Sequence, residues 1–274
     1  YCFRFSSYMQ RILLQGKKMR SKDSEKAADF VYTTIRSRIL NLEYKPGRGL
    51  SAAALSQELK ISRSPVREAL LRLSLENLVE IFPQSGSRVS LIDLNKVTEE
   101  RFLRKNLETA AVVEFISNSP VEYLDEMRRF IDLQIDAWNK QEIIDFLNYD
   151  DAFHGVIFRA IDKYRCWELI ISFCPNEHRL RLLSSWVIAG TRNSVISNHQ
   201  DLVTALERKD REEALRIEHQ HLSRISEESA KLVAIYPSIF KIDAPWSQTE
   251  PTTVQPHIRS FQEGNENFLV SLRR

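Results

Sequence analysis

The chain of 274 residues is long enough for two domains, and its 43% hydrophobic and 28% charged residues are typical of a soluble globular protein. No apolar run approaches the ~20 residues that a helix needs to cross a bilayer, which excludes a membrane-spanning protein. The three cysteines, Cys2, Cys166 and Cys174, form no C-x-x-C pair. This pattern excludes a disulfide framework and indicates a reducing, cytoplasmic setting.

Charge is unevenly distributed along the chain. Residues 1–90 contain 16 Lys and Arg against 8 Asp and Glu, a net charge of +8, and the total of +2 leaves −6 for the remainder. A basic front and an acidic back indicate that the front meets a polyanion. A basic leader would give part of the same imbalance, because residues 1–20 hold five of the positive charges.

The front of the chain is predicted to hold a flexible leader, residues 1–22, and a first domain, residues 23–91. The predicted elements of this domain are a helix over about 24–42, a helix over 52–59 capped by Ser51, a helix over roughly 63–76, and β-prone runs at 78–82 and 88–91. The turn Pro83-Gln84-Ser85-Gly86 joins the two runs into a hairpin. Three helices followed by a hairpin predict a winged helix-turn-helix.

The third helix is the expected recognition helix of that motif. Arg63, Ser64 and Arg67 lie at its start, and the two arginines share one face because they are four residues apart. An arginine fork can bond guanine O6 and N7 or a phosphate. Gly86 would let the wing backbone approach the minor groove, and Arg88 is a further candidate contact. The alternative is a scaffold whose surface arginines are merely solvated.

The rest of the chain is predicted as an all-helical bundle over 92–235 and a proline-bearing, loosely ordered tail over 236–274. Asp93 can cap a first long helix that runs to about Ile116. Five further helices are predicted over 121–139, 141–162, 165–189, 193–208 and 211–234. The expected fold is therefore mainly α, with a small β-hairpin wing and a six-helix effector-binding bundle.

Four side chains of the bundle have the spacing of a metal site. Asp150 and His154 are four residues apart and share a helix face. His199 lies eleven residues before Asp210 and His221 lies eleven residues after it, and two predicted helices meet near Asp210. In an antiparallel helical hairpin the two histidines would therefore lie at the same level along the helix axes. One carboxylate and three imidazoles suit Zn²⁺, with Ni²⁺ or Mn²⁺ as alternatives. Spacing alone leaves open that these are ordinary hydrogen-bonded histidines.

A long motif in the first domain carries a family resemblance. It consists of Pro46-Gly47, Leu55-Ser56-Gln57-Glu58-Leu59, Ile61-Ser62-Arg63-Ser64-Pro65-Val66-Arg67-Glu68-Ala69-Leu70 and the wing residues Pro83, Gly86 and Val89. The segment Ile39–Val89 resembles the GntR family of bacterial regulators. The resemblance implies that Arg63 and Arg67 contact operator DNA and that Gly86 enters the minor groove. Ala53 and Ser85 depart from residues common in the family, which leaves the operator sequence open but not the mode of binding, and Asn77 replaces a common glycine before the wing.

The bundle carries a second resemblance. Its cues are Arg104-x-x-Leu107-Glu108, Asp150-x-x-Phe153-His154, Asn198-His199 and His221-Leu222. Residues 93–234 resemble the FCD ligand-binding domain of the FadR subfamily. The resemblance implies that Asp150, His154, His199 and His221 bind a divalent metal, and that a small organic acid binds to this metal through its carboxylate. Arg104 is the candidate helper for the acid, and a salt bridge to Glu108 is its equal alternative.

Together these patterns predict a sequence-specific DNA-binding transcription regulator, a repressor rather than an enzyme. We expect a cytoplasmic homodimer on a double-stranded operator, modulated by a small organic acid and without a membrane partner. Two alternatives remain. A metal-dependent hydrolase would use Asp150 and the three histidines to activate water. An architectural DNA-binding protein would hold a purely structural metal.

Overall fold

The computed structural model describes residues 22–118, 121–188 and 190–242. They form two compact units, the first containing the residues up to Arg38 and Arg48–Val89, the second Ile39–Gly47 and the residues from Ser90 onward. The predicted leader lies outside the described residues except for Lys22, and so does the predicted tail from residue 243. Among the described residues, no helix is both long and apolar enough to span a membrane.

The first unit has the predicted three helices and wing. Its elements are α1 (Lys22–Leu40), β1 (Gly49–Leu50), α2 (Ala52–Leu59), α3 (Arg63–Leu75), β2 (Val79–Phe82) and β3 (Gly86–Val89). The strands form an antiparallel sheet in the order β1-β3-β2. The second wing strand begins at Gly86, opposite Phe82, rather than at 88. Strand β1 was not predicted, because a strand of two residues is too short to show the alternation of apolar and polar side chains.

Local sequence explains where these elements start and stop. The Ser51 side chain accepts a hydrogen bond from the Ala54 amide at 3.4 Å and so caps α2. Asn77, which stands where the family commonly has glycine, adopts a φ of +59°. Asparagine tolerates this left-handed region better than most residues, so the turn into the wing keeps its backbone form. Fully buried apolar residues hold the helices together: Val31, Ile35, Val66, Ala69 and Leu73.

The second unit is a helical bundle. Its elements are β4 (Ile92–Asp93), α4 (Leu94–Asn118), α5 (Val121–Asn139), α6 (Ile143–Ala160), α7 (Tyr164–Phe173), α8 (Pro175–Val187), α9 (Thr191–Glu207), α10 (Arg211–Ile235) and β5 (Phe240–Lys241). The single helix predicted over 165–189 is two helices, so the described residues of the bundle contain seven long helices instead of six. Pro175 causes the break, because proline lacks an amide hydrogen and disfavours helical backbone at Cys174, which has φ −109° and ψ 50°.

The two ends of the bundle meet in a short sheet. Asp93 caps α4 as predicted, accepting hydrogen bonds from the amides of Asn95 and Lys96 at 3.1 and 3.4 Å. Strand β4 pairs in parallel with β5, and Tyr236, Ile239 and Phe240 are buried. The prediction of a loose tail was therefore wrong for its first seven residues, 236–242, because these apolar side chains complete the core.

Helix α8 is the central helix of the bundle. It contacts α4, α6, α9 and α10 as well as β4. Most of its residues are buried, including the charged Glu177, Arg179 and Arg181. A helix surrounded on all sides has no polar face, so its charged side chains must find partners inside the protein.

Candidate functional site

Four buried side chains converge inside the bundle. Asp150 and His154 come from α6, His199 from α9 and His221 from α10. Their potential ligand atoms all lie within 4.8 Å of one another. The Nε2 atoms of His154 and His221 are 3.2 Å apart, and an Asp150 oxygen lies 3.5 Å from His199 Nε2.

These separations suit one metal ion. Ligand atoms placed about 2.1 Å from one ion lie about 3.0 Å apart at octahedral angles and about 3.4 Å apart at tetrahedral angles. The 3.2 Å and 3.5 Å separations are close to this range, and the 4.0 Å between His154 Nε2 and Asp150 Oδ2 is somewhat longer. His199 Nε2 is buried and has no hydrogen-bond partner among the described residues. A buried lone pair of this kind calls for a cation or a donor.

Neighbouring side chains set the tautomers of two histidines. The Gln134 Oε1 atom lies 2.8 Å from His199 Nδ1, and an amide oxygen can only accept, so Nδ1 carries the proton. A Glu108 carboxylate oxygen lies 2.7 Å from His154 Nδ1, an ion-pair distance at which its charge favours a proton on this nitrogen. The Nε2 lone pair of His199 is therefore free for a metal, and that of His154 becomes free once the ring loses its second proton.

The electrostatics of the cluster keep most of its ligands in their metal-binding forms. Burial lowers the pKa of His199 to about 3 and that of His221 well below its usual value, so both rings stay neutral. Burial opposes ionisation of Asp150, but the charge of Arg181 outweighs it and lowers the pKa. Burial also lowers the pKa of His154, but the Glu108 carboxylate outweighs it and leaves the pKa raised.

Two buried arginines border the cluster. Arg181 is bonded to Asp150 and, at 2.8 Å, to Asp151. Arg104, the residue predicted to bind the effector, forms the alternative ion pair with Glu108, four residues later on the same helix. Its Nη2 atom has no hydrogen-bond partner among the described residues. The ion pair leaves this donor available, so the effector role of Arg104 stays a prediction.

Gln134 and Arg181 were not predicted from the sequence. Gln134 is fully buried and lies on the same stripe of α5 as Leu124, Met127 and Ile131. A polar residue on an apolar helix face is the signal that could have found it. Arg181 interrupts the leucines of α8 in the same way.

The predicted DNA-reading residues lie on the surface of the first unit. Arg63, Ser64 and Arg67 are exposed on α3, while Val66 and Ala69 face its core. Within the described part of the chain, neither Arg63 nor Arg67 forms an ion pair. Unpaired guanidinium groups at a helix start are suited to phosphate and base contacts.

The two wing residues that are predicted to contact DNA are both exposed. Gly86 is exposed with a φ of +97°, and an added Cβ would meet nothing within 4 Å, so backbone conformation accounts for the glycine. Arg88 is exposed but bonded to Glu80 at 2.7 Å, with its guanidinium 4.6 Å from the centre of the Phe82 ring. A DNA contact by Arg88 remains a prediction and must break this pair, which costs about 1 kcal/mol or less at an exposed site.

Two family descriptions match the chain. Residues 27–89 match the bacterial regulatory proteins of the gntR family, and residues 101–224 match the FCD domain. The first match contains Arg63, Arg67 and Gly86. The second contains all four residues of the candidate metal cluster.

Individual proteins agree with these matches. The HTH-type transcriptional repressor RspR of Escherichia coli K12 is 28% identical over 197 residues, covering 72% of this chain and 86% of the relative. The gluconate operon transcriptional repressor of Bacillus subtilis 168 is 24% identical over 197 residues, covering 70% and 81%. The solved structure of E. coli McbR/YncC has a TM-score of 0.61 at 23% identity, covering 74% and 98%, and shares the fold.

The two matched domains and the similar proteins indicate a transcriptional regulator. Transcriptional regulators as a class are not enzymes. Both of the named relatives are repressors. The chain belongs to the GntR family of DNA-binding transcriptional regulators, with the GntR and FCD architecture of the FadR subfamily.

Proposed function

We propose that this regulator is a repressor whose affinity for its operator is modulated by a small organic acid bound at a divalent metal. The observation that carries the proposal is the convergence of Asp150 with three buried histidines. Two of those histidines are oriented by Gln134 and Glu108. The names of the two relatives support repression as the sign of regulation.

The metal is proposed to be Zn²⁺, with Ni²⁺ or Mn²⁺ as alternatives. His154, His199, His221 and Asp150 would hold it, since neutral imidazoles and a carboxylate suit these ions. When bound, the ion supplies a positive centre for a carboxylate ligand. Sensing needs a coordination position beyond the four protein ligands, and a site closed by those ligands alone would be structural.

A homodimer fits an operator with two half-sites, and α4 has a surface that suits a second copy. Phe102 is 73% exposed, and burying a phenyl ring contributes about 1.5–3 kcal/mol. It borders a groove of about 300 Å³ whose floor includes Leu94, Val97 and Ile225. A two-fold axis at Phe102 would place Glu99 level with the partner's Lys105, so the face would be complementary to itself in charge.

Two histidines of one helix allow a matched test of the site. His221 belongs to the cluster, whereas His219, two residues earlier on α10, is exposed. Wild type and His219→Ala should take up one equivalent of Zn²⁺, and His221→Ala should lose most of the affinity. Metal titration by calorimetry checks this. Equal uptake by both variants would place the metal elsewhere.

Effector sensing is tested on the metal-loaded protein bound to operator DNA selected from genomic fragments. Small mono-, di- and hydroxycarboxylic acids are titrated in, and fluorescence anisotropy follows release of the DNA. An acid that binds should change operator affinity in wild type and His219→Ala but not in His221→Ala. If metal binds and no acid alters DNA affinity, the architectural alternative with a structural metal is favoured.

A further inference from the structure

A groove lies between α4 and α10 of the bundle. It has a volume of about 300 Å³ and is lined by Val97 and Phe102 of α4 and by Ile225 of α10. Val97 and Ile225 are buried, whereas Phe102 is 73% exposed. The hydroxyl side chains of Thr98 and Ser226 also line the groove and are exposed. The groove is therefore an apolar strip that an amphipathic partner can cover.

Two positive charges line this groove without a counter-charge. Arg101 and Lys105 lie four residues apart on α4, and within the described part of the protomer they form no ion pair. The Arg101 guanidinium donates to the Leu222 backbone carbonyl at 2.5 Å, a neutral acceptor. Burial lowers the pKa of Arg101, because a charge held partly away from water is costly. A carboxylate in the groove would offset that cost.

The described part of the chain ends beside the groove. Strand β5 pairs in parallel with β4, and Lys241 lies opposite Asp93. Because the pairing is parallel, β5 runs in the direction in which β4 leads into α4, whose first residue, Leu94, lines the groove. Ile242, the last described residue, is 48% exposed. The chain therefore continues from a point about one strand spacing, ~5 Å, from the start of α4.

The sequence that follows contains a stretch complementary to the groove. We define the distal segment as residues 263–272, which lie outside the described residues and read Glu-Gly-Asn-Glu-Asn-Phe-Leu-Val-Ser-Leu. It has carboxylates at Glu263 and Glu266, four apolar residues among its last five, and no Lys or Arg. The carboxylates suit the two cations of the groove, and the apolar residues suit its floor and the Phe102 ring.

The connection between β5 and the distal segment is long enough for binding in the same chain. Residues 243–262 can span up to roughly 66 Å, whereas the groove extends about 17 Å along α4 from Leu94 to Lys105. Binding within one chain acts at an effective concentration on the order of millimolar. Modest complementarity of charge and apolar surface is therefore enough to hold the segment.

We infer that the groove between α4 and α10 holds the distal segment of its own chain. Glu263 and Glu266 lie against Arg101 and Lys105, and the apolar residues cover the floor and the adjoining side of Phe102. Glu99, which the proposed dimer uses, is outside the residues that line the groove. The segment and the second copy therefore take neighbouring parts of α4, and the contact does not depend on the proposed metal site.

Photo-crosslinking of the full chain tests this contact. Phe268 is replaced by the photoreactive analogue p-benzoylphenylalanine, the protein is irradiated without metal or DNA, and the crosslinked peptides are mapped by mass spectrometry. The analogue should attach to peptides that contain residues 94–105 or 225–229 of the same chain. Attachment elsewhere, or no attachment, would overturn the assignment.

Variants of the groove separate binding there from chance proximity. Thr98→Trp and Ser226→Trp fill it from opposite walls, and each should reduce the yield of this crosslink by at least about five-fold. Gln220→Trp, at an exposed position of α10 outside the groove, should not. Because the two blocking variants lie on different helices, either one that folds decides the result. A full yield in a folded blocking variant would also overturn the assignment.

Two further variants test charge and the choice of chain. A Glu263→Lys, Glu266→Lys double variant should reduce the yield by at least about five-fold, whereas an Asp243→Lys, Glu250→Lys double variant with the same charge change should not. Glu99→Lys opposes the proposed dimer but should leave the crosslink within one chain intact. A crosslink that joins two chains and disappears in Glu99→Lys would reject binding to the segment's own chain.

Discussion

Gln134 is a single buried amide that positions His199, one of the proposed metal ligands. Its oxygen accepts from His199 Nδ1, and its nitrogen lies 3.5 Å from both Asp150 Oδ1 and the Phe146 carbonyl. It thereby fixes the ring of one ligand and neighbours the carboxylate of another. Side chains that hold ligands in this way typically change metal affinity by 10- to 100-fold when removed.

Substitution at Gln134 should therefore weaken the site without deleting a ligand. We expect Gln134→Leu to bind Zn²⁺ about 10- to 100-fold more weakly, measured by competition with a chelator. Gln200→Leu is the matched control, because Gln200 is exposed beside His199 on α9. Equal affinities for the two leucine variants would remove Gln134 from the site.

The pH dependence of metal binding follows from which histidines hold protons. His199, with a pKa of about 3, and His221, with a strongly lowered pKa, are neutral near pH 6. His154 has a raised pKa, so it is the ligand that must lose a proton before binding. Below that pKa, affinity should fall about ten-fold per pH unit, corresponding to one proton released.

Calorimetry in buffers of different ionisation enthalpy measures the number of protons released per Zn²⁺. A release near one supports the assignment of charge states. A release near three would mean that all three imidazoles are protonated in the metal-free protein, contrary to the burial of His199 and His221.

Among the secondary-structure elements, features set by short sequence motifs could be predicted, whereas contacts between residues far apart in the chain could not. The bounds of α2 and the cap at Asp93 follow from short polar motifs whose geometry is set within one helical turn. The break at Pro175 was missed because leucines continue the apolar pattern past it. The site residues Asp150 and His154 were readable from i,i+4 spacing. The partners of Arg179 and Gln134 were not, since they lie 89 and 65 residues away in the chain.

The cap at Asp93 should be measurable in stability. Asp93→Ala removes the acceptor for the Asn95 and Lys96 amides and should destabilise the protein by about 1 kcal/mol, whereas Asp93→Asn should cost little. Urea unfolding monitored by circular dichroism checks both. Asp210→Ala, which removes the cap of α10 at the Glu213 amide, provides a comparison of the same kind. Equal stability of Asp93→Ala and wild type would show that the cap contributes nothing.

At the scale of the whole molecule, the proposed dimer depends on the Phe102 face of α4. Phe102→Glu places a charge at the centre of that face and should yield a monomer at concentrations where wild type is a dimer. Sedimentation equilibrium measures this. Phe30→Glu alters another exposed phenylalanine, 54% exposed on α1, and should leave the dimer intact. Dimeric Phe102→Glu would move the interface to another surface.

The central claim is that α3 reads DNA through Arg63 and Arg67. Its most direct test is anisotropy of labelled operator DNA with wild type and with an Arg63→Ala, Arg67→Ala double variant, using Arg128→Ala in the other unit as a control for charge. Each arginine that bonds a base contributes about 1–3 kcal/mol, so the double variant should lose specific binding by at least about thirty-fold while the control binds normally. Operator affinity retained by the double variant would contradict the account.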